Sequence, residues 1–304
     1  MLTQILPLML VGLLGYGLKQ TGMLHAGDAK TIGKLLTMLA LPAVILKALV
    51  TAVLTPDLIY LPLSALVVVL GLTLMGWLGT RWLTWDRAKA GALLTAFPTF
   101  EGGAVGYPLM LLAFGEVGLS RIVLFDLAQA IYLLTVVYGL SAWFGQSGVT
   151  AQGVGLKLVR TPFFWAVVLG LGGNALNITS GVLLNLLDII GGSFLVLVVL
   201  LLGMEFQIQT TTLGLYLVIA LAKIGGGLGL GWLAAEVFSL EGVERAAVLV
   251  GAALPPSLLT LLFAQENHLD TGVVVGLISV AVPLYLVVMA MGLALLGPEG
   301  LALQ

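Results

Sequence analysis

The 304-residue sequence contains no cysteine, only two histidines and few charges: Lys and Arg total 12, Asp and Glu 14, and together they make up 9% of the chain. Without cysteine there is no disulfide, no thiolate metal site and no cysteine nucleophile. A soluble domain carries about 25% charged and about 45–50% apolar residues, against 9% and 60% here. So sparse a charge complement excludes a cytosolic enzyme, a nucleic-acid binder and a secreted domain. A net charge of −2 offers no basic surface for nucleic acid. His25 and His268 both fall between apolar runs, and neither G-x-S-x-G nor G-x-G-D occurs. An intramembrane hydrolase, which needs a Ser–His pair or paired aspartates inside its spans, is therefore without support. Nothing reads as a channel's selectivity filter. There is no Walker A pattern and no cluster of ligand residues, so neither ATP nor a metal is implied. No cofactor is expected beyond a coupling H⁺ or Na⁺.

What is there is apolar sequence in long runs, with a mean hydropathy of +1.17. A membrane helix needs roughly 20 apolar residues. The runs give ten spans, at 3–19, 31–54, 58–80, 89–114, 119–144, 161–178, 181–205, 211–236, 245–265 and 270–296. They are continuous and Leu-rich, without the alternation of a barrel strand, so they predict an all-α membrane protein. The first run has no basic segment before it and no small-residue cleavage site after it, and reads as a span and not a signal peptide. The longest polar stretch, Gly145 to Arg160, divides the chain into a five-helix repeat at 1–145, a cytoplasmic linker at 146–160 and a second five-helix repeat at 161–304. Lys19, Lys30, Lys34, Arg81, Arg87, Lys89, Lys157 and Arg160 fall in the first, third and fifth loops, while Arg121 and Arg245 lie on the other side. This positive-inside bias puts both termini outside. Five is odd, so the second half is inserted upside down relative to the first, as in inverted-repeat transporters.

Span four is interrupted by Phe97-Pro98-Thr99-Phe100-Glu101-Gly102-Gly103-Ala104-Val105-Gly106-Tyr107-Pro108, and span nine by Gly251-Ala252-Ala253-Leu254-Pro255-Pro256-Ser257. Proline removes backbone donors and cannot continue a regular helix. Interruptions at the fourth position of both halves predict that helices 4 and 9 are broken, and such matched breaks are where carriers place their binding sites.

Several motifs resemble the auxin efflux carrier family, of the bile-acid/auxin-type inverted-repeat superfamily. They are Leu39-Ala40-Leu41-Pro42-Ala43-Val44-Ile45-Leu46-Lys47, then Gly106-Tyr107-Pro108-Leu109-Met110 leading to Phe114-Gly115-Glu116, then Phe125-Asp126-Leu127-Ala128-Gln129. Thr161-Pro162 with Ala166 and Gly170, Leu202-Gly203-Met204, Ala252-Ala253-Leu254-Pro255-Pro256 and Ala264-Gln265-Glu266 follow in order. The resemblance implies ten helices in two inverted repeats with helices 4 and 9 crossing at mid-membrane, a scaffold and a movable transport domain, small organic anions as substrates, alternating access and a homodimer. The short linker, where plant members carry a long hydrophilic loop, implies a prokaryotic protein of the cell (inner) membrane. Two places depart from the family pattern. Glu101 and Gly102 stand where Asn and Thr are usual, and Gly191-Gly192-Ser193 replaces the usual proline of span seven.

Ionisable residues within spans are functional candidates because burying them unpaired is costly. Glu101 could alternate between neutral and charged states as a proton carrier, or hydrogen-bond the freed backbone as a permanent acid. Lys223, just before Gly225-Gly226-Gly227, is a candidate anion partner or an ion-pair partner of Glu101 or Asp126; the family often has a base there. Asp126, Gln129 and Tyr132 share one helical face, lining the path or joining helices. The candidate substrate- or ion-binding set is Glu101, Gly102, Gly103, Pro108, Asp126, Gln129, Lys223, Pro255, Pro256 and Ser257. Lys47 is expected to snorkel, Asp188 to lie at the outer interface, Asn174 and Asn177 to cap, and Glu205, Gln207 and Gln209 to be solvated. Trp82, Trp85 and Trp232 read as interfacial belt residues.

The expected function is secondary transport of a small organic anion such as a carboxylate, with the lipid bilayer as surroundings. The alternative is a cation/proton antiporter or sodium-coupled symporter on the same broken-helix fold, which an acid at position 101 keeps open.

Overall fold

The computed structural model describes residues 2–145, 160–178, 180–205 and 213–303. They form α1 (Leu2–Gln20), α2 (Ala26–Leu35), α3 (Leu41–Val50), α4 (Tyr60–Leu83), α5 (Arg87–Ala96), α6 (Tyr107–Tyr132), α7 (Tyr138–Phe144), α8 (Pro162–Ala175), α9 (Gly181–Gly191), α10 (Phe194–Glu205), α11 (Leu213–Val237), α12 (Gly242–Ala253), α13 (Leu259–Glu266) and α14 (Thr271–Leu303). No strand occurs among the described residues. Among the described residues, six stretches are long and apolar enough to cross a membrane: Gly27–Val50, Pro56–Leu83, Gly102–Phe144, Gly181–Leu201, Leu213–Val237 and Thr271–Met289; Pro162–Ala175 is apolar but shorter. Large apolar side chains such as Leu70, Val182, Ile189 and Val218 are exposed, as on a lipid-solvated surface. Most of the linker, with Gln207 and Gln209, lies outside the described residues, as does the side chain of Glu205.

Proline and glycine explain where the helices deviate. Leu36–Ala40 and Gly102–Gly106 are π-helical turns, each followed by a helix with proline in its first turn, Pro42 and Pro108. Leu41 N–H reaches back five residues to Leu36 O, and Tyr107 N–H to Gly102 O. Widening the turn accommodates the residue that proline prevents from bonding normally. The helical stretch Gly102–Phe144 passes through Pro108 by way of this π turn, so the break in span four lies before it, at residues 98–101. Gly115 kinks α6 with φ 63° and ψ −153°, a conformation open to glycine. One residue thus separates the fourth and fifth apolar runs.

The chain folds into two compact units. One comprises Met1–Val53, Gly115–Ser120 and Val159–Gln207, the other Leu54–Phe114, Arg121–Leu158 and Ile208–Gln304. In the first, α1 packs on α10 so closely that a side chain at Gly203 would overlap the carbonyl of Gly12. Gly170 and Gly173 of α8 pack against Leu49 and Val50 of α3. Small residues allow this approach, as membrane helices commonly use. Asn174 Nδ2 donates to the carbonyls of Leu49 (3.0 Å), Val50 (2.9 Å) and Ala52 (2.7 Å), capping α3 and not its own helix. Asn177, at φ 53°, ends α8 in the left-handed conformation. Lys47 does not snorkel freely: its Nζ bridges Glu116 and Asp188, the latter at 2.5 Å.

In the second unit α11 lies against α12. A Cβ at Gly227 would overlap the carbonyl of Ala252, and one at Gly231 would lie 2.7 Å from Ala252 Cβ. Arg121 pairs with Glu244 and Arg245 with Glu236, each at 2.7 Å. Buried Asn267 joins α7 and α13 through Ser141 Oγ at 2.8 Å and Phe263 O at 3.0 Å. Trp82 and Trp232 are exposed and Trp85 is half-buried.

Candidate functional site

The two interruptions meet inside the second unit. Pro98 has no N–H to continue α5, which ends at Ala96, with Thr99 N–H turning back to Ala96 O at 3.2 Å. α12 ends at Ala253, before two prolines; Leu254 takes φ −51° and ψ 147°, the extended geometry that a following proline favours. Two stretches of backbone are thereby released from helical bonding, and in lipid such groups must be satisfied from within the protein. They satisfy each other. Glu101 N–H donates to Pro255 O at 2.9 Å, Ser257 N–H to Thr99 Oγ1 at 3.1 Å, and Leu258 N–H to a Glu101 carboxylate oxygen at 2.7 Å.

Glu101 ties the two sides of this junction together. Its Oε1 accepts from Ala104 N–H at 3.1 Å, within the turn that leads into α6, while Oε2 accepts from Leu258 N–H, just ahead of α13. One carboxylate thus receives the first N–H groups of two helical segments, whose positive ends favour an anion. Glu101 is half-buried and the adjoining Leu258 is 40% exposed. Ser257 supports the start of α13: its Oγ accepts from Leu259 N–H at 3.4 Å and its carbonyl from Thr260 Oγ1 at 2.5 Å.

Behind Glu101 the freed carbonyls are taken by side chains from other helices. Lys223 of α11, fully buried, donates to Thr99 O at 2.8 Å and lies 5.1 Å from the centre of the Phe100 ring. Gln129 Nε2 donates to Phe100 O at 3.1 Å, and Phe100 packs on Phe125 with ring centres 5.8 Å apart. Asp126 accepts from Tyr107 O–H at 2.6 Å. The Asp126 carboxylate lies against Gly102, where an added Cβ would overlap it, and a Cβ at Gly106 would come within 2.8 Å of Leu254.

Glu101, Gly102, Asp126, Gln129, Lys223, Pro255 and Ser257 therefore belong to one cluster. Gly103 is half-buried in the π turn, and Pro256 is buried between Pro255 and Ser257. Pro108 lies in the first turn of α6 and has no N–H to donate to the junction. Lys223 forms no ion pair with Glu101 or Asp126 among the described residues; it serves a backbone carbonyl. Tyr132, predicted to share a polar stripe with Asp126 and Gln129, binds Thr73 Oγ1 at 2.7 Å and ties α6 to α4. The sequence reading did not single out Thr99, Phe100 and Tyr107. Thr99 was detectable as a polar residue inside the interruption, whereas Tyr107 meets Asp126 across nineteen positions, a pairing no local pattern reveals.

Against known proteins, the family model described as "Membrane transport protein" matches residues 1–150. The chain is 26% identical over 297 residues to an uncharacterized transporter of Methanothermobacter thermautotrophicus, covering 93% of this chain and 94% of that protein. It is 21% identical over 295 residues to an uncharacterized transporter of Methanocaldococcus jannaschii, covering 94% and 96% respectively. Over its first 150 residues the chain is thus similar to the membrane transport protein family, the family of auxin efflux carriers that its motifs resemble.

Proposed function

We propose that the protein is a secondary active transporter that moves a small organic anion, such as a carboxylate, across a prokaryotic cell membrane by alternating access. Its site is the junction of the Phe97–Glu101 and Leu254–Leu258 segments. One observation carries this reading: two interrupted helices direct their N-terminal N–H groups at a single point that accepts a carboxylate, at present that of Glu101. A substrate carboxylate that displaces Glu101 would meet the same donors, and the buried cation Lys223 holds the Thr99 carbonyl behind them.

In this reading the helices make ten crossings in two inverted five-helix repeats, with the broken fourth and ninth crossing at mid-membrane and both termini outside. Supporting it, each compact unit draws on both halves: the first takes spans one and two with six and seven, the second spans three to five with eight to ten. A homodimer follows from the family resemblance. A second reading, cation/proton antiport or sodium symport, is favoured by the presence of two acids, Glu101 and Asp126, against one base at the junction.

Electrogenic transport in proteoliposomes separates the two. Currents evoked by dicarboxylates or indole-acetic acid support the anion carrier. Currents driven by Na⁺ or a pH jump alone, with no response to any anion, would replace it with the cation reading.

A further inference from the structure

Asp126 lies in α6 with 8% of its surface exposed. Its Oδ2 accepts the Tyr107 hydroxyl at 2.6 Å, while Oδ1 is buried with no hydrogen-bond partner among the described residues. An ionised carboxylate with one neutral donor and one bare, dehydrated oxygen is held at a cost of several kcal/mol, whereas a neutral carboxylic acid is not. The groups that could neutralise it are otherwise engaged. Lys223, from α11, binds Thr99 O, and Arg121, one turn earlier in α6, pairs with Glu244. Tyr107 brings no charge, and Glu101, across Gly102, brings a second carboxyl of the same sign.

The contrast with Glu101 is the second observation. Its carboxylate has a backbone N–H on each oxygen, which is how a protein supports an anion without a counter-ion. Two carboxyl groups bracket Gly102, one built to be charged and one not, and this divergence is what assigns different roles to neighbouring acids.

We propose that Asp126 is a proton-binding site of the transporter, with the proton carried on Oδ1 in this conformation. The inference rests on the transport reading above and names the proton as the coupled ion. Asp126 touches Gly102 at the start of the turn whose far side is closed by Glu101. Displacement of Glu101 from Ala104 and Leu258 therefore moves the backbone that covers Asp126. The proton then leaves Oδ1 for water, and its return restores the closed junction.

Infrared difference spectroscopy of the purified protein in liposomes, recorded across pH without any transported solute, reads the C=O stretch of a protonated carboxylic acid directly. An acid band present at neutral pH, lost in Asp126→Asn, retained in Glu101→Gln and indifferent to Na⁺ is expected. Tyr107→Phe keeps the carboxyl but removes its hydrogen bond, and shifts the band. Absence of the band at neutral pH, its survival in Asp126→Asn, or its removal by Na⁺ overturns the assignment. If Asp126→Asn does not insert, an unmoved band in Tyr107→Phe overturns it. Because no solute is involved, failure to transport organic anions leaves these spectra unchanged, and the two readings fail separately.

Discussion

Replacing Gly227 by alanine tests whether close contact of α11 with α12 holds the junction in place. The new Cβ would fall on the carbonyl of Ala252 and within 3.5 Å of Ala253 Cα. Both obstacles are backbone, so no side-chain rotation relieves them and the helices must separate. Overpacking costs about 1–3 kcal/mol, occasionally more, and a rigid obstacle argues for the upper part of that range. Alanine also favours a helix over glycine by about 1 kcal/mol in the opposite direction. Gly225→Ala controls for this gain, because it lies in the same helix with nothing within 4 Å of its Cβ. The difference between the two variants isolates the contact, about 1–3 kcal/mol. Since Ala252 and Ala253 lead directly into Leu254 and Pro255, moving them also disturbs the Glu101–Pro255 bond. Thermal unfolding of both variants in detergent should give a lower midpoint for Gly227→Ala than for Gly225→Ala, with slower transport in the former. Equal midpoints would refute the packing argument.

Two further outcomes follow from the geometry. Asn174→Ala removes a donor shared by three carbonyls at the end of α3, and should destabilise by about 1–3 kcal/mol; an unchanged unfolding midpoint would show that the cap is dispensable. Pro255→Ala restores an N–H that can extend α12 into the junction, whereas Pro108→Ala alters only the first turn of α6. Both variants should insert normally, with transport reduced more by Pro255→Ala; equal rates would contradict the assignment of Pro255 to the interruption.

The residues that lipid constrains most were the most legible. Long apolar runs, Pro98 and the Pro255–Pro256 pair announced helices and their ends, because a bilayer offers no water to satisfy a released backbone. Glu101 stood out for the same reason, as an acid where only apolar residues are inexpensive. What the sequence concealed were partnerships across the fold. Lys47 bridges Glu116 and Asp188, and Asn174 caps a helix more than a hundred positions earlier. Lys223 reads in the sequence as an anion partner or an ion-pair partner; its bond to the Thr99 carbonyl is not foreseeable there, although an interrupted helix exposes acceptors as well as donors. Pro108 reads as a helix breaker, yet the helix that starts at Gly102 passes through it by a π turn. A proline that ends a helix and one that a widened turn accommodates look alike in sequence.

The central claim is that solute binds where Glu101 meets Leu258. Because the natural chain has no cysteine, Leu258→Cys introduces a unique thiol beside Glu101, at a side chain that is 40% exposed. Val53→Cys, at a position 76% exposed in the other compact unit, serves as reference. The rate of labelling by a water-soluble maleimide is measured in proteoliposomes with and without the solute that drives current. Protection of the thiol at position 258, with none at position 53, is the predicted result. Equal labelling at position 258 with and without that solute would place binding elsewhere and contradict the account.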